Sequence, residues 1–287
     1  MAQVKSRTPS DKRYTYNLMV NDTKEQVDTI EKNAAKYDRE GMKEKDLNAM
    51  YKRIVAANIY LDTIELYCRM NECMQEVMET KNDKVLSDAR KNIYQTLKLL
   101  ESIVGNYIDT PLTENVEVME SLKLLTPTRL LHLVRKIEYA ITYLEHEEGG
   151  DSKWKSALVD IYGKFAALTK NLINFREFNV KMYDPSYPYY DEVIELIGTV
   201  KRVINTAASK FRDKYALSTG QVADMKKAIE FLNLLVRIHI ILNEQEMAQD
   251  VKKRIEVWSN QLEIDQKKKE EEDKRAKQAA MAAAKRK

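Results

Sequence analysis

Trp154, Leu158, Ile161, Phe165, Leu168, Leu172 and Phe175 follow one another at alternating steps of four and three residues, with mostly polar or small residues between them. Side chains at that spacing fall on one stripe of an α-helix, and an apolar stripe exposed to water calls for a covering helix. The same grammar recurs along the chain. Leu47, Met50, Ile54, Ala57, Leu61, Ile64 and Cys68 keep the step, with Val55, Ile59, Leu66, Met70, Cys73 and Val77 as a second stripe beside it. Two stripes on one helix imply two neighbours. Val193, Ile197, Val200, Ile204, Ala207 and Phe211 repeat the pattern, as do Val222, Met225, Ile229, Leu232, Val236 and His239.

Composition supports the same reading. Seven Gly and five Pro in 287 residues leave few sites for the turns of a sandwich or barrel, and 32% charged residues suit the exposed faces of helices. The expected fold is all-α, with seven or eight helices. We expect elongated antiparallel helical hairpins or a bundle with heptad, coiled-coil-like packing, and a charged helical tail at the C-terminus.

Punctuation divides the chain. Residues 1–20, which include Pro9, lack periodicity and read as a flexible basic arm; residues 21–178 form an N-terminal helical half. Within it a short helix is expected from Asp22 and Thr23 to about Tyr37, stopped by Gly41, and a long one over about 43–80. Asn82 and Asp83, Thr126 with Pro127, and Asp151 or Ser152 read as helix starts, while Gly105 and the pair Gly149 and Gly150 read as stops. Residues 179–190, carrying Pro185 and Pro188, form a Tyr/Pro-rich connector that a helix cannot cross. Residues 191–264 make a C-terminal helical half in which Ser218 and Gln221 resemble a capping box. The pattern changes phase near Asn243, at a tight turn or a break. Residues 265–287 are the Lys/Glu/Ala-rich tail.

Charge is unevenly placed. Residues 1–20 carry +3 and residues 265–287 carry +4 within a total of +3, which leaves the body at −4. Such an arrangement favours pairing of the ends with an acidic surface, on this chain or another, and salt screens it over about 10 Å.

No catalytic, cofactor or metal site is expected. His132, His146 and His239 have Arg129, Tyr143 and Val236 three residues upstream, so the Glu-x-x-His pattern of di-metal bundles is missing. His239 sits on an apolar stripe and reads as a packed residue. Cys68 and Cys73, five apart on a helix, cannot bridge and imply a reducing compartment. No apolar run reaches membrane-span length.

The expected role is therefore that of a non-enzymatic cytoplasmic structural or scaffolding protein acting through helix contacts. Its expected partner is protein, first of all itself, as a homo-oligomer or filament. A monomeric adaptor and a nucleic-acid-associated protein using its basic ends are the alternatives. Two candidate surfaces follow. One is the aromatic set Tyr183, Tyr187, Tyr189 and Tyr190, because tyrosines offer rigid area with a polar tip. The other is the charged tail with Lys267, Lys268, Lys269, Lys274, Arg275 and Lys277.

Overall fold

The computed structural model describes residues 9–44, 46–150 and 152–284, with backbone alone at 273, 276, 277 and 279–284. Among them every regular element is helical: α1 (Pro9–Lys43), α2 (Leu47–Met78), α3 (Asp83–Val104), α4 (Val116–Ser121), α5 (Pro127–Glu148), α6 (Lys155–Asn171), α7 (Phe175–Lys181), α8 (Tyr190–Lys214), α9 (Val222–Ile241) and α10 (Gln245–Ala284), with a π-helical turn at Tyr215–Thr219. Ten helices among the described residues replace the expected seven or eight: the stripe read as continuous to Phe175 breaks into α6 and α7, and a turn separates α9 from α10. The chain divides into two compact units, residues 1–203 and 204–287, and the division falls inside α8. The Tyr/Pro connector, expected to separate two halves, lies within the first unit.

Local chemistry explains several helix ends. The Asp46 carboxylate accepts from the Ala49 N–H at 2.8 Å to open α2, and Asn82 Oδ1 accepts from Val85 at the start of α3. Thr126 caps α5 with Pro127 in its first turn, where the missing N–H leaves nothing unpaired. Gly149 ends α5 at φ +71°, a conformation that side chains with a Cβ avoid. Asn243 turns the chain between α9 and α10 at φ +58°, so the phase change is a turn.

The first unit is built around α2, which packs along α1, α3 and α5, while α6 packs on α3 and α5. The expected arm over 1–20 is corrected here: from Pro9 onward it is helix, and Tyr16 and Val20 are buried. Val20, Val27, Ala34 and Gly41 recur every seven residues as the buried line of α1. A stripe of one small residue per heptad is too sparse to register as amphipathic, yet it suffices against the broad face of α2. Gly41 is consequently not a stop. A Cβ there would meet Arg53 Cγ at 2.9 Å and the Ala49 carbonyl oxygen at 3.1 Å. The Arg53 Nε donates to the Gly41 carbonyl at 2.9 Å, clamping the end of α1 onto α2. Gly41→Ala should thus destabilise by about 1 kcal/mol despite alanine's better helix propensity. A melting temperature raised by the substitution would refute the close-approach account.

The 154–175 stripe is also corrected. Trp154 stands before the helix, 38% exposed, and no side chain caps α6 from that position. Ser152 accepts from the Trp154 N–H at 3.1 Å, and Asp151 lies outside the described residues. α6 stops at Asn171, and Asn174 caps a new helix by accepting from the Glu177 N–H at 3.2 Å. Leu158, Ile161, Phe165, Leu168, Leu172 and Phe175 are nonetheless all buried, as are Tyr162, Ala166, Ala167, Thr169, Lys170 and Asn171 on other sides. α6 is buried nearly all round rather than along one seam. Its end is held from outside: Lys170 Nζ donates to the Thr110 carbonyl at 2.8 Å and Asn171 Nδ2 to that of Gly105 at 3.0 Å. These bonds satisfy the backbone of the loop after α3.

In the second unit α9 packs along α10, and Phe211 of α8 stacks on Phe231 of α9 with centroids 5.8 Å apart. The Ser218–Gln221 capping box does not form. Thr219 takes its place, its Oγ1 accepting from the Gln221 N–H at 3.2 Å and donating to Asp224 at 2.7 Å. The buried carboxylate of Asp224 also pairs with Lys214 at 3.2 Å. Along α10, Ala248, Val251 and Leu262 are buried, Ile255 and Trp258 half-buried, and Met247 exposed.

Candidate interaction surfaces

The Tyr/Pro connector is ordered by its own contacts. Asp184 Oδ1 accepts from the Ser186 N–H at 3.1 Å and the Ser186 hydroxyl at 2.6 Å, and these bonds hold its carboxyl below the usual range. The Tyr187 hydroxyl donates to Glu177 at 3.2 Å, and its ring meets Tyr189 edge-on at 5.7 Å and Lys181 Nζ at 4.7 Å. Burial, with the nearby Glu177 charge, pushes the Tyr187 phenol up to about 12. Tyr187, Tyr189 and Tyr190 are half-buried, and Tyr183 is 63% exposed. The structure therefore joins Tyr187 to Tyr189 and leaves Tyr183 as the ring most open to a partner.

The charged tail continues α10. Lys267, Lys268, Lys269, Lys274 and Arg275 are all exposed, and Arg275 lies 4.0 Å from Glu271 one turn earlier. The side chain of Lys277 lies outside the described ones. On the same helix Val257 and Ile264, seven residues apart, are 64% and 47% exposed. Both lie on the side of α10 turned away from the buried line of Ala248, Val251 and Leu262.

A groove between α2 and α5 has no counterpart in the sequence analysis. Tyr51, Ile54, Val55 and Asn58 share one face of α2, and Arg129, His132, Leu133 and Lys136 share one face of α5 at the same spacing, with Tyr139 beyond them. Leu124 and Leu125 complete the lining, and the Leu124 N–H donates to the Tyr51 hydroxyl oxygen at 3.0 Å. The groove holds about 890 Å³. Its polar groups differ from one end to the other. Lys136 is ion-paired with Asp62 at 2.7 Å and also bonded to Asn58, and Arg135 is paired with Glu195. Arg129 reaches only the Leu124 carbonyl, at 2.8 Å, and has no ion pair among the described residues. The one sequence signal was the second apolar stripe of α2, of which Val55 remains 40% exposed.

A family model matches residues 12–266, that of the TP0443 family. The chain belongs to the TP0443 family. No curated protein sequence matches it. The TP0443 match spans the walls of the groove and the tyrosine connector, and it ends where the exposed extension of α10 begins.

A buried polar cluster lies where α2, α3 and α5 meet. Arg90 and Glu148, 5% and 3% exposed, form an ion pair in the first unit, with the Arg90 guanidinium 4.2 Å from the Trp154 ring centre. Burial pulls the Arg90 guanidinium below its ordinary value. Glu148 also accepts from the Ser152 hydroxyl at 2.7 Å. Adjacent Glu147 accepts from Asn71 at 2.7 Å and Gln75 at 3.1 Å, and Asn71 accepts from the Asn82 N–H. These groups answer one another, the arrangement of a structural lock joining α2, α3 and α5. Cys68 and Cys73 are free thiols, both pushed up, chiefly by burial. His239 is buried with Nδ1 2.5 Å from Glu244. Among the described residues no His, Cys, Asp and Glu cluster has the makings of a metal site. No helix there is long and apolar enough to cross a membrane.

Proposed function

We propose that this TP0443-family protein is a non-enzymatic helical scaffold that associates with other copies of itself through the outer face and C-terminal extension of α10, by coiled-coil-like heptad packing. The observation that carries this reading is α10 itself. It runs 40 residues, its described side chains between Lys267 and Gln278 are exposed, and it leaves Val257 and Ile264 uncovered at heptad spacing. Helical segments without tertiary support are marginal in water, so the extension gains stability from a partner helix. The nine basic residues of 265–287 add attraction to the acidic body of a neighbouring molecule. Two reduced thiols fit a cytoplasmic setting.

Sedimentation of the full chain and of residues 1–264, at low salt and at about 0.5 M salt, tests the proposal. Truncation should leave folding stability almost unchanged and should lower the sedimentation coefficient beyond the mass removed. The difference should narrow at high salt. Val257→Glu with Ile264→Glu should remove the association that survives salt. Monomeric behaviour of every form under all conditions would favour a monomeric adaptor instead.

A further inference from the structure

We propose that the α2–α5 groove is a binding site for a free long-chain carboxylate, its head at Arg129 and its acyl chain along Ile54, Val55 and Leu133. This goes beyond the scaffold reading and does not depend on it. The groove's volume of about 890 Å³ lies within the range of small-ligand sites, and although five of its twelve lining residues are polar or charged, the surface it exposes is mostly apolar, as in such sites. From Arg129 to Tyr139 the α5 wall is roughly 15 Å long, which accommodates an extended acyl chain.

Charge decides the kind of ligand. Lys136 and Arg135 are already neutralised by Asp62 and Glu195, so the rim offers little to a partner with charges spread along its length. Arg129 is the cation without an ion pair among the described residues lining the groove, and His132 stands one turn from it. One guanidinium without an ion pair at the end of an apolar trough complements a molecule with one anionic end and an apolar body. The wall at that end is braced, because the Leu124 backbone donates to Tyr51 and accepts from Arg129.

Calorimetric titration of the full chain with octanoate, decanoate and laurate below their micelle-forming concentrations tests the assignment. Saturable binding is expected, tightening about fourfold per added methylene. Arg129→Gln should weaken laurate about tenfold while leaving dodecanol unaffected, and Val55→Glu should abolish laurate binding. Both positions are exposed, so circular dichroism should show the fold retained. Leu217→Glu, at an exposed site in the second unit, should change nothing. The proposal is overturned by the absence of saturable binding, by affinity independent of chain length, or by equal effects of Arg129→Gln on laurate and dodecanol. Laurate-insensitive self-association that Val55→Glu removes would assign the face to a second copy and overturn it as well.

Discussion

Replacing Leu168 by Asp should abolish cooperative folding of the first unit. Leu168 is fully buried on α6, among Phe165, Leu172 and Phe175, which are equally enclosed. Truncation of such a side chain alone costs about 2–5 kcal/mol, and the substitution adds a carboxylate with no partner, which must be desolvated or take up a proton. Against a total stability of about 5–15 kcal/mol, the sum leaves little or no folded population. Circular dichroism should show most of the helical signal lost and the main melting transition absent. A melting temperature within a few degrees of the parent protein would mean that α6 is not central to the core.

Arg90→Ala should be the next most damaging change. Arg90 and Glu148 are both nearly inaccessible, so removing the guanidinium leaves a buried carboxylate with only the Ser152 hydroxyl to answer it. Breaking one side of such a pair costs about 3–5 kcal/mol, equivalent to a melting temperature roughly 10 °C lower for a chain of this size. Loss of packing against Trp154 adds to the cost. The paired replacement Arg90→Met with Glu148→Leu should recover most of that stability, because it removes both charges while filling the space. Thermal melts of the parent, single and double forms decide the point. A double form as unstable as the single one would show that the lock depends on its wider hydrogen bonds rather than on charge balance.

The helical class of this chain and several of its helix ends follow from short-range rules. An amide at Asn82, a Thr-Pro pair at 126–127 and a left-handed Gly149 each act within one turn, on backbone groups a few residues away. Such effects are written in adjacent residues and are legible there. The second apolar stripe of α2 was legible too, but not which part of it α1, α3 and α5 would leave uncovered.

What depends on partners distant in sequence was not legible. Residues 9–20 are helical because Tyr16 and Val20 find cover, although their own pattern is weak. α6 ends at Asn171, where Lys170 and Asn171 reach carbonyls about sixty residues earlier in the chain. Arg90 and Glu148 look like surface charges until α3 and α5 bring them together. The groove between α2 and α5 has the same origin, since an open face is created by where a neighbour stops. Local hydrogen bonding and periodicity determined that this sequence would be helical and where most turns would fall. The tertiary structure decided which stripes were buried, which charges were locked inside and which surfaces remained open, because burial is set by how whole helix faces fit one another.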